Sequence, residues 1–276
     1  MYVGIDVGGT KTIVASLNNE GVIKDKKLIP TDNDYDKFLG DIKSILAEFD
    51  EQEYEAGGIG VPATVLNRKD GIALKFGNLH WKNVAIQRDI EQLTHCPIVV
   101  ENDAKLAALS EAMLLKDKYK TVLYITISTG IGFGFVNNSI IDQNFGDGGG
   151  RTLLLEFKNK IMPWEDFASG RAIVNRYGKK AKDISDKNDW QDISRNIAKG
   201  VIELIAMLEP EVIVIGGGVG NYFEKFGKYL ESDVKKYHIP LIKMPDIIKA
   251  QRPDEAVIFG CYDLAKQVYP HARINS

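Results

Sequence analysis

A strand, a glycine-rich turn and a second strand follow one another twice in this chain, and that repetition constrains the fold more than any single segment does. The first copy joins the apolar run Tyr2 to Val7 to Ile13 to Leu17 through Gly8-Gly9-Thr10-Lys11-Thr12. The second joins Thr121 to Ser128 to Phe133 to Val136 through Thr129-Gly130-Ile131-Gly132, a little over a hundred residues later. Each copy closes on an Asn-Asn turn, Asn18-Asn19 and Asn137-Asn138. Glycine lets backbone N–H groups turn toward an anion with no Cβ in the way. With Asp6 just before it, the first turn suits a phosphate and its metal. Either turn alone is equally well explained as an ordinary hairpin, and the Walker spacing Gly-x4-Gly-Lys-[Ser/Thr] is not met. A pair of such turns across a cleft can grip a polyphosphate from both sides, which one hairpin cannot.

The chain has 276 residues, enough for a substantial core split between two domains. Its 44% hydrophobic and 26% charged content is that of a soluble globular protein. A net charge of −3 with scattered lysines and arginines argues against a nucleic-acid or membrane-binding surface. No apolar run approaches the roughly twenty residues of a membrane span, and the N-terminus enters a strand directly, so a cytoplasmic location is expected. The two cysteines, Cys96 and Cys261, fit a reducing compartment and are too few for a zinc site of three or four thiolates.

Hydrophobic spacing predicts a β-meander over about residues 2 to 30, then an amphipathic helix carrying Phe38, Leu39, Ile42, Ile45, Leu46 and Phe49. Gly57 to Val61 reads as a buried strand. Val84, Ile86, Ile90 and Leu93 mark a helix, and Pro97 to Val100 a strand that runs out at Glu101-Asn102-Asp103 before the helix Ala104 to Leu115. The second half repeats the plan: a meander from 121 to 142, a helix over 190 to 208, the strand Val212 to Ile215, the turn Gly216-Gly217-Gly218, and helices to the end. An α/β protein of two similar lobes follows.

Asp103 is the leading candidate for chemistry. A carboxylate at the C-terminal end of a strand points into the crevice where α/β sheets bind ligands. The commonest role of Asn102 or Asp103 there is nevertheless to cap the following helix. The phosphate turns favour the chemical role, because phosphoryl transfer to an alcohol needs a group to accept the hydroxyl proton.

The chain resembles the ROK family of sugar kinases and repressors, which shares its ATPase core with actin, hexokinase and the seventy-kilodalton heat-shock proteins. The segments that carry the likeness are Asp6-Val7-Gly8-Gly9-Thr10-Lys11, Gly60-Val61-Pro62, Asn78-Leu79-His80-Trp81, Glu101-Asn102-Asp103-Ala104, Ser128-Thr129-Gly130-Ile131-Gly132, Trp164-Glu165-Asp166-Phe167-Ala168-Ser169-Gly170 and Ile213-Val214-Ile215-Gly216-Gly217-Gly218. The resemblance implies duplicated ribonuclease H-like (actin-like ATPase) cores around a central cleft. Residues 1–115 would form an N-terminal lobe and 116–276 a C-terminal lobe, with the last helix returning to the first. It implies ATP and Mg2+ as cofactors: Asp6 approaches the metal, Gly8, Gly9, Thr10, Lys11 and Thr12 hold terminal phosphates, and Thr129, Gly130 and Gly132 do so from the other lobe. Gly217 and Gly218 let the adenosine part lie against backbone. Asp103 is the implied general base, and Asn78, Asn102 and Glu165 the implied hydrogen-bond partners of a small-molecule sugar, with transfer most often to the hydroxyl on carbon six. Relatives are often dimers, and a homodimer is expected here.

Two departures bear on this. Most of the family carries Gly-Glu-x-Gly-His, whose Glu and His contact the sugar; here the stretch is Phe145-Gly146-Asp147-Gly148-Gly149-Gly150-Arg151-Thr152-Leu153. Many members also carry a three-cysteine zinc motif before the position of Glu165; Asn159 to Pro163 has none, so no structural zinc is expected. Smaller departures are Ala63 and Lys105. His80, His95, His238 and His271 show no metal-ligand spacing, Trp81 and Trp164 are expected at the rim of the cleft, and both cysteines as core thiols. Three functions are left: an ATP-dependent sugar kinase, favoured by the intact turns and Asp103; a sugar or nucleotide sensor without turnover, favoured by the missing Glu and His; and a repressor, disfavoured because no helix-turn-helix precedes the first phosphate strand.

Overall fold

The computed structural model describes residues 1–270 apart from 52, 78, 238 and 239 and apart from the side chain of Thr64. The chain divides into two compact units, Met1–Ser110 with Asp254–Ser276, and Glu111–Pro253. The first contains β1 (Tyr2–Val7), β2 (Lys11–Leu17), β3 (Ile23–Pro30), α1 (Tyr35–Glu48), β4 (Ala56–Val61), β5 (Ala63–Asn67), β6 (Ile72–Phe76), β7 (Lys82–Val84), α2 (Ile86–Thr94), β8 (Ile98–Asn102) and the start of α3 (Asp103–Leu115). The second contains β9 (Thr121–Ile127), β10 (Ile131–Asn137), β11 (Ile140–Ile141), β12 (Leu154–Phe157), β13 (Lys160–Pro163), α4 (Trp164–Ala168), α5 (Gly170–Tyr177), α6 (Lys187–Leu208), β14 (Val212–Gly216), α7 (Gly217–Gly220), α8 (Phe223–Lys236) and β15 (Asp246–Lys249). The chain then re-enters the first unit as α9 (Ala256–Val268).

The duplication read from the turns extends to whole sheets. One has the order β3-β2-β1-β4-β8 and the other β11-β10-β9-β14-β15. In each, an antiparallel meander supplies three strands and two further strands add in parallel beside the first strand of the meander. Local chemistry explains the meanders. Asn138 and Ser139 take left-handed backbone angles (φ 49° and 64°), which suit a two-residue hairpin turn between twisted strands. Asn18 instead folds its side-chain oxygen onto the N–H groups of Glu20 and Val22.

Helix α1 starts where Asp34 accepts the N–H of Lys37, and it buries Phe38, Ile42, Ile45 and Leu46, one stripe at helical spacing. The helix expected around Val84 begins two residues later. Val84 ends β7 instead, because the sequence 63–84 forms a small β5-β6-β7 sheet that no spacing announced. The hairpin β12-β13 and the short strand β15 also have no counterpart in the hydrophobic spacing. Gly216 extends β14, and Gly217 opens a single helical turn where a plain turn is expected. Trp81 and Trp164, expected at a rim, are core residues. Trp81 is 4% exposed among Tyr35, Phe38 and Phe76, and Trp164 is wholly buried with its indole N–H donated to the carbonyl of Asn196. Cys96 and Cys261 are buried thiols as expected, and burial holds both pKa values above the usual thiol range.

Helix α9 lies so close to its neighbours that two glycines are obligatory. A Cβ on Gly58 of β4 would fall 2.8 Å from the Cα of Cys261, and one on Gly260 would fall 2.0 Å from the carbonyl oxygen of Leu106 in α3. Replacing Gly260 with alanine adds helix propensity of roughly 1 kcal/mol. It also drives a methyl into backbone that cannot rotate away, and overpacking of this kind costs about 1–3 kcal/mol. The steric cost is expected to win, so the urea midpoint of Gly260→Ala should fall. A midpoint at or above that of the parent chain would show that α9 can shift away from α3.

Candidate functional site

In the first unit the site is built on the ends of β1 and β8. Asp6 is the penultimate residue of β1, aligned with Ile13 on one side and Gly60 on the other. The glycine turn that follows is tied shut by a bond from the N–H of Gly8 to the carbonyl of Lys11 at 2.9 Å. Thr31 braces it from β3's exit: its hydroxyl donates to the carbonyl of Gly8 at 2.8 Å and lies 2.9 Å from the hydroxyl of Thr12, while its N–H donates to the carbonyl of Thr10. Thr12 is therefore fully buried behind the turn, whereas Thr10 and Lys11 are exposed. Thr31 was invisible in the sequence, because its partners sit on another strand.

Asp103 begins α3, directly after β8 ends. Asn102 caps the helix: its side-chain oxygen accepts the N–H groups of Ala104 (3.0 Å) and Lys105 (3.3 Å), and its amide nitrogen donates to the carbonyl of Ala63 at 3.4 Å. One oxygen of Asp103 accepts the N–H of Ala104 at 2.8 Å. Both Asp6 and Asp103 remain partly open to solvent. Burial raises the pKa of Asp6 to about 7, with the charge of Asp103 adding to the effect. Burial raises Asp103 to about 6, against the pull of the Ala104 N–H. Two neighbouring carboxylates that resist ionisation form a site a divalent cation would relieve, which fits Mg2+ at Asp6. Among the described residues no cluster of three or more metal-capable side chains occurs. Such an ion would take its other ligands from phosphate oxygens and water. Asn78 lies outside the described residues.

The second unit repeats the motif with different supports. Its turn is closed by the N–H of Ser128 on the carbonyl of Gly130, and the N–H of Gly170 bonds the carbonyl of Ser128 at 2.7 Å. Glu165, at the start of α4, is 11% exposed. Its two oxygens are engaged, one by the N–H of Ile131 at 3.2 Å and the other by Nε of Arg151 at 3.1 Å. Arg151 ends a short 3-10 turn, Gly149–Arg151, inside the segment that departs from the family pattern. The turn's Thr129 opens onto a cavity of about 530 Å3 lined by Gly170, Arg171, Asn175, Lys180, Lys182, Gly218 and Tyr222, among others. Gly217 sits beside it with φ 81°, where a Cβ would meet the carbonyl of Ile127 at 2.6 Å. Gly218 has nothing within 4 Å of where a Cβ would stand, so backbone is open to a ligand there. Arg171, Lys180 and Lys182 give the cavity positive charge. Nothing in the sequence marked them, because Lys179 to Lys182 looks like any solvated basic run.

Two five-stranded sheets of the same order, each carrying a glycine turn between its first two meander strands, define an α/β protein of the duplicated actin-like ATPase class. Within that class the chain belongs to the ROK family, whose sequence model matches residues 2–152 and 159–268. It is 24% identical to a glucokinase of Streptomyces coelicolor over 98% of this chain and 99% of that protein. It is 28% identical to an N-acetyl-D-glucosamine kinase of Haemophilus influenzae, over 94% of this chain and 97% of that one. Among solved structures, a ROK family glucokinase from Streptomyces griseus in complex with glucose and AMPPNP matches 96% of this chain and 99% of its own, with a TM-score of 0.81 at 22% identity. No helix among the described residues is long and apolar enough to cross a membrane.

Proposed function

We propose that the chain is an ATP-dependent sugar kinase that moves the γ-phosphoryl group to a hydroxyl, that on carbon six, of a hexose such as glucose or an N-acetylhexosamine. The observation that carries the reading is Asp103, a carboxylate fixed at a strand–helix corner with its pKa raised to about 6. A base titrating near neutrality is ionised at working pH yet basic enough to accept a proton, and such groups contribute roughly 10²- to 10⁴-fold. In this mechanism Asp103 takes the hydroxyl proton as the sugar oxygen bonds to the γ-phosphorus and the bond from that phosphorus to the β,γ-bridging oxygen breaks, that oxygen leaving with ADP. The backbone of residues 8–11 and 129–132 meets the terminal phosphates, and the cavity beside Gly217 and Gly218 takes the adenosine part. Mg2+ at Asp6 would neutralise charge on the transferred group. Asn78, Asn102 and Glu165 are proposed to contact the sugar, in a cytosolic, homodimeric enzyme.

The Arg151–Glu165 pair and the absent Gly-Glu-x-Gly-His motif favour a second reading, a sensor that binds sugar or nucleotide without turnover. A coupled assay against hexoses and N-acetylhexosamines separates the two. Sugar-dependent ADP release supports the kinase; tight sugar binding by calorimetry with no ADP release from any of them supports the sensor.

A further inference from the structure

We propose that Arg68, through Glu101, is a positioning residue for the Asn102–Asp103 corner; the catalytic part of this inference rests on the kinase reading above. Arg68 lies in the turn after β5, 33 residues from Glu101 in sequence. Its guanidinium grips Glu101 as a fork, Nε to one carboxylate oxygen at 2.8 Å and Nη2 to the other at 2.6 Å. Glu101 is 1% exposed and Arg68 19%. The oxygen of Glu101 that Nη2 holds also accepts the backbone N–H of Asn102 at 2.7 Å. β8 is the last strand of its sheet, so its outward amides have no neighbouring strand to pair with.

The connection runs on without a gap. The Asn102 side chain caps α3 on the N–H groups of Ala104 and Lys105, and the Asp103 carboxylate rests on the N–H of Ala104. The direction of the Asp103 carboxylate is therefore set by the first turn of α3. That turn is set by Asn102, whose backbone is held by a carboxylate that Arg68 orients.

Burial makes this more than a bystander contact. A buried carboxylate deprived of its partner is strongly disfavoured, so without Arg68 the Glu101 side chain should rotate toward water and release the Asn102 N–H. An ammonium restores the charge but not the two-pronged geometry.

The test uses the full chain with Arg68→Gln and Arg68→Lys. With ATP and the best sugar of the panel, Arg68→Gln should lower kcat by about 10- to 100-fold, the range seen when an orienting partner is lost, with the KM for ATP within about twofold. Arg68→Lys should recover the thermal midpoint but not kcat. Amide hydrogen exchange at Asn102, Ala104 and Lys105 is the second readout, and Arg68→Gln should speed it at least tenfold. Unchanged exchange at those amides overturns the proposal whatever the activity does, and so does unchanged kcat in Arg68→Gln or full recovery of kcat by lysine. If the parent chain phosphorylates no sugar, the kinase reading fails, and with it the claim about kcat. The exchange arm still judges the coupling from Arg68 to α3.

Discussion

Asp103→Asn should cripple phosphoryl transfer while the affinity for ATP stays within about twofold. Asparagine keeps an oxygen for the N–H of Ala104, so the helix start that Asp103 supports at 2.8 Å is preserved and only the proton acceptor is lost. The expected fall in kcat is roughly 10²- to 10⁴-fold, which corresponds to about 3–5.5 kcal/mol of barrier at 1.36 kcal/mol per decade. Asp103→Ala should lose the same activity and also some stability, because it removes the bond to Ala104. The two variants thus separate chemistry from capping. Equal loss of nucleotide affinity and turnover in Asp103→Asn would make this side chain a structural residue and remove the base from the proposed mechanism.

Between pH 4 and pH 8 the metal-free protein should lose stability through Asp6 and Asp103. Both folded-state values, about 7 and about 6, lie above the unfolded carboxylate value near 4. The folded chain therefore binds more protons in that window, and its stability falls as pH rises. Their contribution is fully present below about pH 4 and gone above about pH 7. It amounts to several kcal/mol, since each tenfold change in proton affinity between the folded and unfolded chain is worth roughly 1.4 kcal/mol. Asp32, Asp192, Glu211 and Glu224 act oppositely, since their values are lowered; they lose stabilisation only as pH falls below the ordinary carboxylate range. The two sets are thus separated in pH. Melting temperatures with and without Mg2+ check the assignment: the ion should raise the midpoint much more at pH 8 than at pH 5, and Asp6→Asn should flatten the dependence. A Mg2+ effect independent of pH, or retained in full by Asp6→Asn, would take the metal away from Asp6. Turnover should likewise fall away below about pH 6 as Asp103 protonates.

Local patterns revealed what they physically could. The stripe Phe38, Ile42, Ile45, Leu46 marks one face of a helix whatever it packs against. The glycine turns and Asn-Asn corners are local signals of chain reversal, met by the left-handed backbone of Asn138 in one case and the side-chain oxygen of Asn18 in the other, and Asp103 is marked by its place between an apolar strand and a run of helix formers. The small sheet β5-β6-β7 and the hairpin β12-β13 leave no mark in the sequence because their strands are short and half exposed, so no alternation builds up. The two tryptophans differ from expectation for a related reason: an aromatic beside a motif looks the same in sequence whether it meets a ligand or, like Trp164, the interior.

The sequence by itself determined the doubled meander, the positions of the two glycine turns and the carboxylate at the start of α3, since each is a demand made by residues within a few positions of one another. Only the tertiary structure decided what those parts touch. Thr31 behind the first turn, Arg151 on Glu165, Arg68 on Glu101 and α9 against α3 are each chosen by folding among many partners distant along the chain. Burial then settled their chemistry. The same aspartate that titrates near 4 in an open chain is raised to about 6 at the end of β8, because the surrounding atoms, and not the neighbouring letters, set the cost of charging it.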